Sequence, residues 1–149
     1  LDAVDADYLA GVRGWLRAIG FEDWPQQKRV DAQLRPAMVN LPEWQGFREA
    51  TNALVGSLTV DLPGHETNRM LSVVMPGHHI PLHSDRQMDG WLFRVHVPLE
   101  TNHHAVFQIG GIAHWMSVGQ AYAIDVREPH AVRNNGDTPR THLMFDVVT

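Results

Sequence analysis

The chain has no cysteine. Disulfide scaffolds, iron–sulfur clusters and thiolate zinc sites are therefore excluded. Long apolar runs are missing too, and nothing approaches the roughly 20 residues a helix needs to cross a bilayer. The opening Leu1-Asp-Ala-Val-Asp-Ala-Asp7 has neither the basic nor the apolar region of a signal peptide. A start at Leu1 carries the expectation of a short leader ahead of the numbered residues, and the expected setting is cytoplasmic. Basic charge is scarce: 12 Lys and Arg against 17 Asp and Glu leave a net −5. Nucleic acids and anionic membranes call for a basic face, so neither is expected as a partner. Repeats, low-complexity tracts and interdomain linkers are absent as well. What remains is 149 residues, 44% hydrophobic and 19% charged, enough for one domain with its own core.

The first third reads as helical. Leu9, Val12, Leu16 and Ile19 recur at three and four residues, and Gly20 follows as a stop. Phe21 to Val39 looks irregular. A second helix opens at Pro42-Glu43, carries Phe47, Ala50 and Leu54 on one face, and is expected to end near Gly56. From Asn68 the texture changes to short β-like runs. Met70 to Met75 stops at Pro76-Gly77, and Trp91 to Leu99 sets Arg94 and His96 against Phe93, Val95 and Val97. Phe107 to Ile109, Gly110-Gly111 and Ile112 to Trp115 form a hairpin with a two-residue turn. Ala121 to Val126, His130 to Arg133 and Thr141 to Val148 complete the set. Closely spaced strands without helices between them predict a mainly β jelly roll or sandwich. The expected layout is a single domain over residues 1–149, with helical support over 1–60 and a β core over 66–149.

The chemistry concentrates in His83-Ser84-Asp85, His130 and Arg140. Two imidazoles and one carboxylate are the donor set that leaves positions open on a non-haem Fe(II). On a strand, residues i and i+2 face the same side, so His83 and Asp85 are expected to converge from one edge of a barrel. The 44 residues between Asp85 and His130 suffice to form a hairpin and return. An isolated His-x-Asp is more often a surface turn; the spacing of His130 and Arg140 tips the balance. His78-His79 and His103-His104 sit in polar turns and read as solvent-facing. His65 and His114 have no partner at a telling spacing. His142, two beyond Arg140, either shares its inward face or merely packs there.

Arg140 suits a carboxylate, since guanidinium pairs with it in bidentate fashion and a barrel interior excludes competing water. It precedes the apolar run Leu143-Met144-Phe145, where an inward cation needs a resident anion. Ser72, within Leu71-Ser72-Val73-Val74, also wants a hydrogen-bond partner if buried. Arg94 and His96 add two polar groups to one face of an apolar strand.

These segments resemble the aspartyl/asparaginyl β-hydroxylase family of Fe(II)- and 2-oxoglutarate-dependent dioxygenases, over about Asn68 to Val148. They are Leu71-Ser-Val-Val-Met-Pro-Gly-His-His-Ile-Pro-Leu-His-Ser-Asp85, Phe93-Arg-Val-His-Val-Pro98, His130-Ala-Val-Arg-Asn-Asn135 and Arg140-Thr-His-Leu-Met-Phe-Asp146. The ordered spacing of Ser72, His83, His96, His130 and Arg140 makes the likeness specific. The resemblance implies a double-stranded β-helix, with iron on His83, Asp85 and His130. It implies that Ser72 and Arg140 bind the distal carboxylate of 2-oxoglutarate, with His96 near its metal-side carboxylate. Arg94 matches a position that faces co-substrate or substrate. Some family members have glycine in place of the acidic ligand; here Asp85 is present. The implied reaction uses O₂ and 2-oxoglutarate to hydroxylate an unactivated C–H bond, releasing succinate and CO₂.

Two rival readings use the same residues. A cupin-like protein would hold a metal or small acid without oxidising anything, and a hydrolase would place Zn²⁺ on the three ligands. Barrel architecture alone does not separate them. Arg86, Arg94 and Arg133 favour an anionic or amino-acid-like substrate: an Asp or Asn side chain, a free amino acid or a small acidic metabolite. Whether the N-terminal helices cover the barrel or support a dimer is not written in the sequence, nor is the oligomeric state.

Overall fold

The computed structural model describes residues 42–149; the helix expected around Leu9 to Ile19 and the stretch Phe21 to Val39 lie outside them. Helix α1, Pro42–Thr59, opens on proline, whose fixed φ and missing N–H suit the first helical position. It runs past Gly56, where the sequence predicts its end. Glycine inside a helix costs only about 1 kcal/mol, and Leu54, Val55 and Leu58 around it pack into the core. Burial outweighs the break. Among the described residues, no helix is long and apolar enough to cross a membrane.

Eight strands follow: β1 (His65–Val74), β2 (His79–His83), β3 (Trp91–Glu100), β4 (Ala105–Ile109), β5 (Ile112–His114), β6 (Tyr122–Ile124), β7 (His130–Asn134) and β8 (Arg140–Val148). They form two antiparallel four-stranded sheets, ordered β1-β8-β3-β6 and β2-β7-β4-β5. Apart from the β4–β5 hairpin, every connection between successive strands crosses from one sheet to the other. This is a jelly roll, one of the two mainly β architectures the strand pattern predicts.

Alternation along the strands builds the layers. Val95 and Val97 of β3 and Leu143, Phe145 and Val147 of β8 are fully buried in one cluster with Leu54 and Val55 of α1. The alternate residues Arg94, His96, Arg140 and Met144 line a cavity of about 750 Å³. Strand β8 is therefore covered on both faces and all nine of its residues are buried. A second apolar cluster, including Val74, Trp91, Phe107, Val126 and Val132, fills the rest of the space between the sheets.

Two turns need glycine. Gly77 holds φ +78° after Pro76, and His78 N–H donates to Met75 O at 3.0 Å, the pattern of a type II turn. Gly110 and Gly111 are both at positive φ between the paired Ile109 and Ile112, as a type I′ hairpin requires.

Asn134 ties the sheets together. From the end of β7 its Nδ2 donates to Val74 O of β1 at 2.9 Å and to Thr138 O at 2.8 Å. Its Oδ1 accepts from Gly136 N and Asn102 Nδ2. The side chain is fully buried, so truncation strands several polar groups without water. Asn134→Ala is expected to lower stability by about 3 kcal/mol in urea unfolding; a change below roughly 1 kcal/mol contradicts this role.

Candidate metal centre

The site begins with a slip in strand register. Antiparallel β2 and β7 set His79 opposite Arg133 and Ile80 opposite Val132, then shift by one so that His83 stands opposite His130. In unbroken register Leu82 would face His130 instead. The extra residue is taken up at Pro81-Leu82, where proline has no ladder N–H to lose. Leu82 turns outward, 67% exposed, and His83 takes the inward place. The two imidazole centroids lie 4.3 Å apart.

Asp85 arrives differently from the sequence expectation. Strand β2 ends at His83, so strand periodicity does not align the two ligands. Asp85 sits in the following loop, where its N–H donates to Val126 O at 2.9 Å. The loop turns the carboxylate back toward the rings. Its Oδ1 lies 3.3 Å from His83 Nε2, and Oδ2 lies 3.7 Å from His130 Nε2.

The backbone selects which ring nitrogen each histidine presents. His83 Nδ1 is 2.6 Å from Pro81 O, and His130 Nδ1 is 2.8 Å from Glu128 O. A carbonyl oxygen only accepts, so each Nδ1 carries a proton, and Nε2 is the nitrogen that each neutral ring can offer to a metal. Two such nitrogens and a carboxylate, with donor atoms all within 4.8 Å of one another, can share one cation. The donor set fits a divalent metal, and the carbonyl partners supply the outer support that ligating histidines need.

The same cavity has an acid-binding end. Arg140 is buried and donates from Nη1 to Ser72 Oγ at 3.4 Å. Among the described residues, its Nη2 is the one buried side-chain nitrogen or oxygen without a hydrogen-bond partner. Burial lowers the guanidinium from its ordinary value near 12.5 to about 9. His96 also lines the cavity, and its Nδ1 is 3.1 Å from His142 Nδ1. One ring donates and the other accepts, so the two cannot both be protonated on Nδ1. His142 is thus buried beside His96 and absent from the lining of the large cavity.

Arg94 also lines the cavity, but its guanidinium is engaged by two carboxylates. Nε and Nη2 pair with Asp146 at 2.8 and 3.1 Å, and Nη1 reaches Asp85 Oδ2 at 3.0 Å. Asp146 stands in the sequence without an evident task. The available signal was a carboxylate inside the apolar run Met144-Phe145-Asp146-Val147, which burial permits only with a partner. Arg86, Gln87 and Met88 line the mouth. Arg133 is exposed on the outer face, and His65, His78, His79, His103, His104 and His114 are exposed too.

Desolvation first, and then the nearby Arg140 charge, hold His96 and His142 well below the ordinary histidine value near 6.5. The unfolded chain therefore binds protons here that the folded chain refuses, and stability falls as pH drops below about 6.5. Between pH 7 and 5, His142→Gln should lose stability less steeply than the wild type in urea titrations. Equal slopes contradict the assignment.

No curated protein sequence matches the chain. Among solved structures, the non-heme monooxygenase ThoJ, in a nickel complex, aligns at 18% identity and a TM-score of 0.60, covering 99% of this chain and 71% of that one. A cupin domain from Bordetella pertussis Tohama I aligns at 15% identity and a TM-score of 0.46, covering 60% of this chain and 88% of its own. A predicted oxalate decarboxylase from Thermotoga maritima aligns at 21% identity and a TM-score of 0.42, covering 54% of this chain. The chain spans 65% of that protein's length. At 18% identity the likeness to ThoJ is one of fold. A family model for aspartyl/asparaginyl beta-hydroxylase matches residues 38–149, most of the sequence, and the chain belongs to that family.

Proposed function

We propose that this protein is an Fe(II)- and 2-oxoglutarate-dependent dioxygenase that hydroxylates an unactivated C–H bond of an amino acid, an Asp/Asn-type residue or a small acidic metabolite. The reading rests on one observation: a two-His-one-carboxylate donor set shares its cavity with Arg140, a buried cation with an unpartnered N–H. Iron held by His83, Asp85 and His130 supplies O₂ activation coupled to decarboxylation of 2-oxoglutarate to succinate and CO₂.

The protein's own part is placement. Arg140 donates to the distal carboxylate of the co-substrate, whose negative charge offsets the cost of the buried guanidinium. Ser72, already beside Arg140 Nη1, adds a hydroxyl donor. His96, with Nδ1 committed to His142, keeps Nε2 for the end of the acid nearer the metal. Phe107, Val126 and Val132 keep the wall between the sheets apolar and exclude water from it. Exposed Arg86 and the apolar Met88 at the mouth suit a substrate with an acidic group and an aliphatic body.

Protein, Fe(II) and 2-oxoglutarate under air, with candidate amino acids, should yield succinate, and Asp85→Ala should not. Succinate no higher than that control defeats the proposal. Arg140→Gln removes a charge-assisted hydrogen bond of about 1.5–3 kcal/mol. It should raise the KM for 2-oxoglutarate roughly 10–100-fold, while Mn(II) affinity stays at the wild-type value. A matched loss of Mn(II) binding would place Arg140 in the metal centre instead.

A further inference from the structure

We infer that Arg94 is a positioning residue for the metal carboxylate: gripped by Asp146, it holds Asp85 in one orientation toward the ion. This rests on the reading of His83, Asp85 and His130 as the metal centre. Arg94 and Asp146 are directly opposed on β3 and β8, so they share a face of the sheet. Their contact is two-pronged, with Nε and Nη2 on separate carboxylate oxygens. Asp146 has no solvent exposure and accepts two further hydrogen bonds, from Trp91 Nε1 at 3.0 Å and Asn68 Nδ2 at 3.1 Å.

Asn68 holds φ +52°, the one positive φ at a non-glycine position among the described residues. It lies where the register of β1 against β8 shifts, between Thr67 and Met70. That strained backbone aims its amide at Asp146, and such strain persists only where surrounding contacts enforce it. With four donors on it, Asp146 cannot rotate, and the guanidinium plane it grips is fixed as well.

The third nitrogen of that plane, Nη1, meets Asp85 Oδ2 at 3.0 Å. Asp85 needs such a restraint because it lies in a loop, anchored locally by its N–H on Val126 O. Arg94 supplies what a strand would otherwise give, a fixed direction for the carboxylate. Oδ1 lies 3.3 Å from His83 Nε2, while Oδ2, on the Arg94 side, lies 3.7 Å from His130 Nε2. Chelation of the metal by both oxygens would have to compete with Arg94. An acid from co-substrate or substrate would likewise have to compete with two carboxylates for this guanidinium.

The test compares wild type, Arg94→Met, Arg94→Lys and Trp91→Phe for Mn(II) affinity by electron paramagnetic resonance and for the visible spectrum with Co(II). Outer-shell partners of metal ligands typically contribute roughly 10–100-fold in affinity. Arg94→Met is expected to lose that much Mn(II) affinity and to alter the Co(II) spectrum, with Arg94→Lys recovering part of both. Trp91→Phe keeps a smaller aromatic ring in the core and removes one donor to Asp146; it is expected to shift the same two readouts by a smaller amount. If Arg94→Met does not fold, the other two variants decide the matter by the same criteria. Wild-type affinity and spectra in the folded variants, with only the KM for 2-oxoglutarate or substrate changed, overturn the inference. If the wild type itself fails to bind Mn(II), both this inference and the proposed function fall. If it binds Mn(II) as expected but forms no succinate with Fe(II), only the proposed function falls.

Discussion

The metal centre depends on a one-residue slip between two strands. Register in a sheet is all or nothing for the side chains it aims, because a shift by one exchanges the inward and outward faces. Here the shift lies within β2, between Ile80 and His83, while β7 runs on without interruption. Ile80 therefore still lines the cavity, Leu82 is turned out to solvent, and His83 meets His130. Removing the bulge would not loosen the donor set; it would put a leucine in it.

The cavity treats its buried charges in two ways, and the contrast explains the division of labour. Arg94 has two carboxylates around it and is fully compensated. Arg140, on the neighbouring strand β8, has a serine hydroxyl and an unpartnered N–H. A buried cation without an anion costs several kcal/mol, a cost that an acid ligand removes on binding. The compensated arginine builds the site, and the uncompensated one recruits to it. The neutral histidine pair beside Arg140 fits the same logic, since a second positive charge there would add to the penalty.

How much of this was legible in the sequence follows from which features are local. The jelly roll was legible because short apolar runs, Pro76-Gly77 and Gly110-Gly111 mark strands and turns without reference to the rest of the fold. That Arg94 and His96 share one face, opposite Phe93, Val95 and Val97, followed from simple alternation; that this face lines the cavity did not. The route of Asp85 did not, because a bulge at Pro81-Leu82 and a loop held by Val126 have no periodic signature. The end of α1 was misplaced at Gly56 because packing of Leu58 overrides a weak local preference. The tie from Asn68 through Asp146 and Arg94 to Asp85 joins three distant segments, and only the strand register reveals it.

The central claim is that two imidazoles and a carboxylate share one cation while Arg140 clamps a diacid in the same cavity. A crystal structure grown with Mn(II) and 2-oxoglutarate without oxygen tests it most directly, through anomalous scattering from the manganese. The expected result is one anomalous peak bounded by His83 Nε2, Asp85 and His130 Nε2, and a carboxylate of the co-substrate on Arg140 Nη2. A peak outside those three side chains, or a diacid lying away from Arg140, contradicts it.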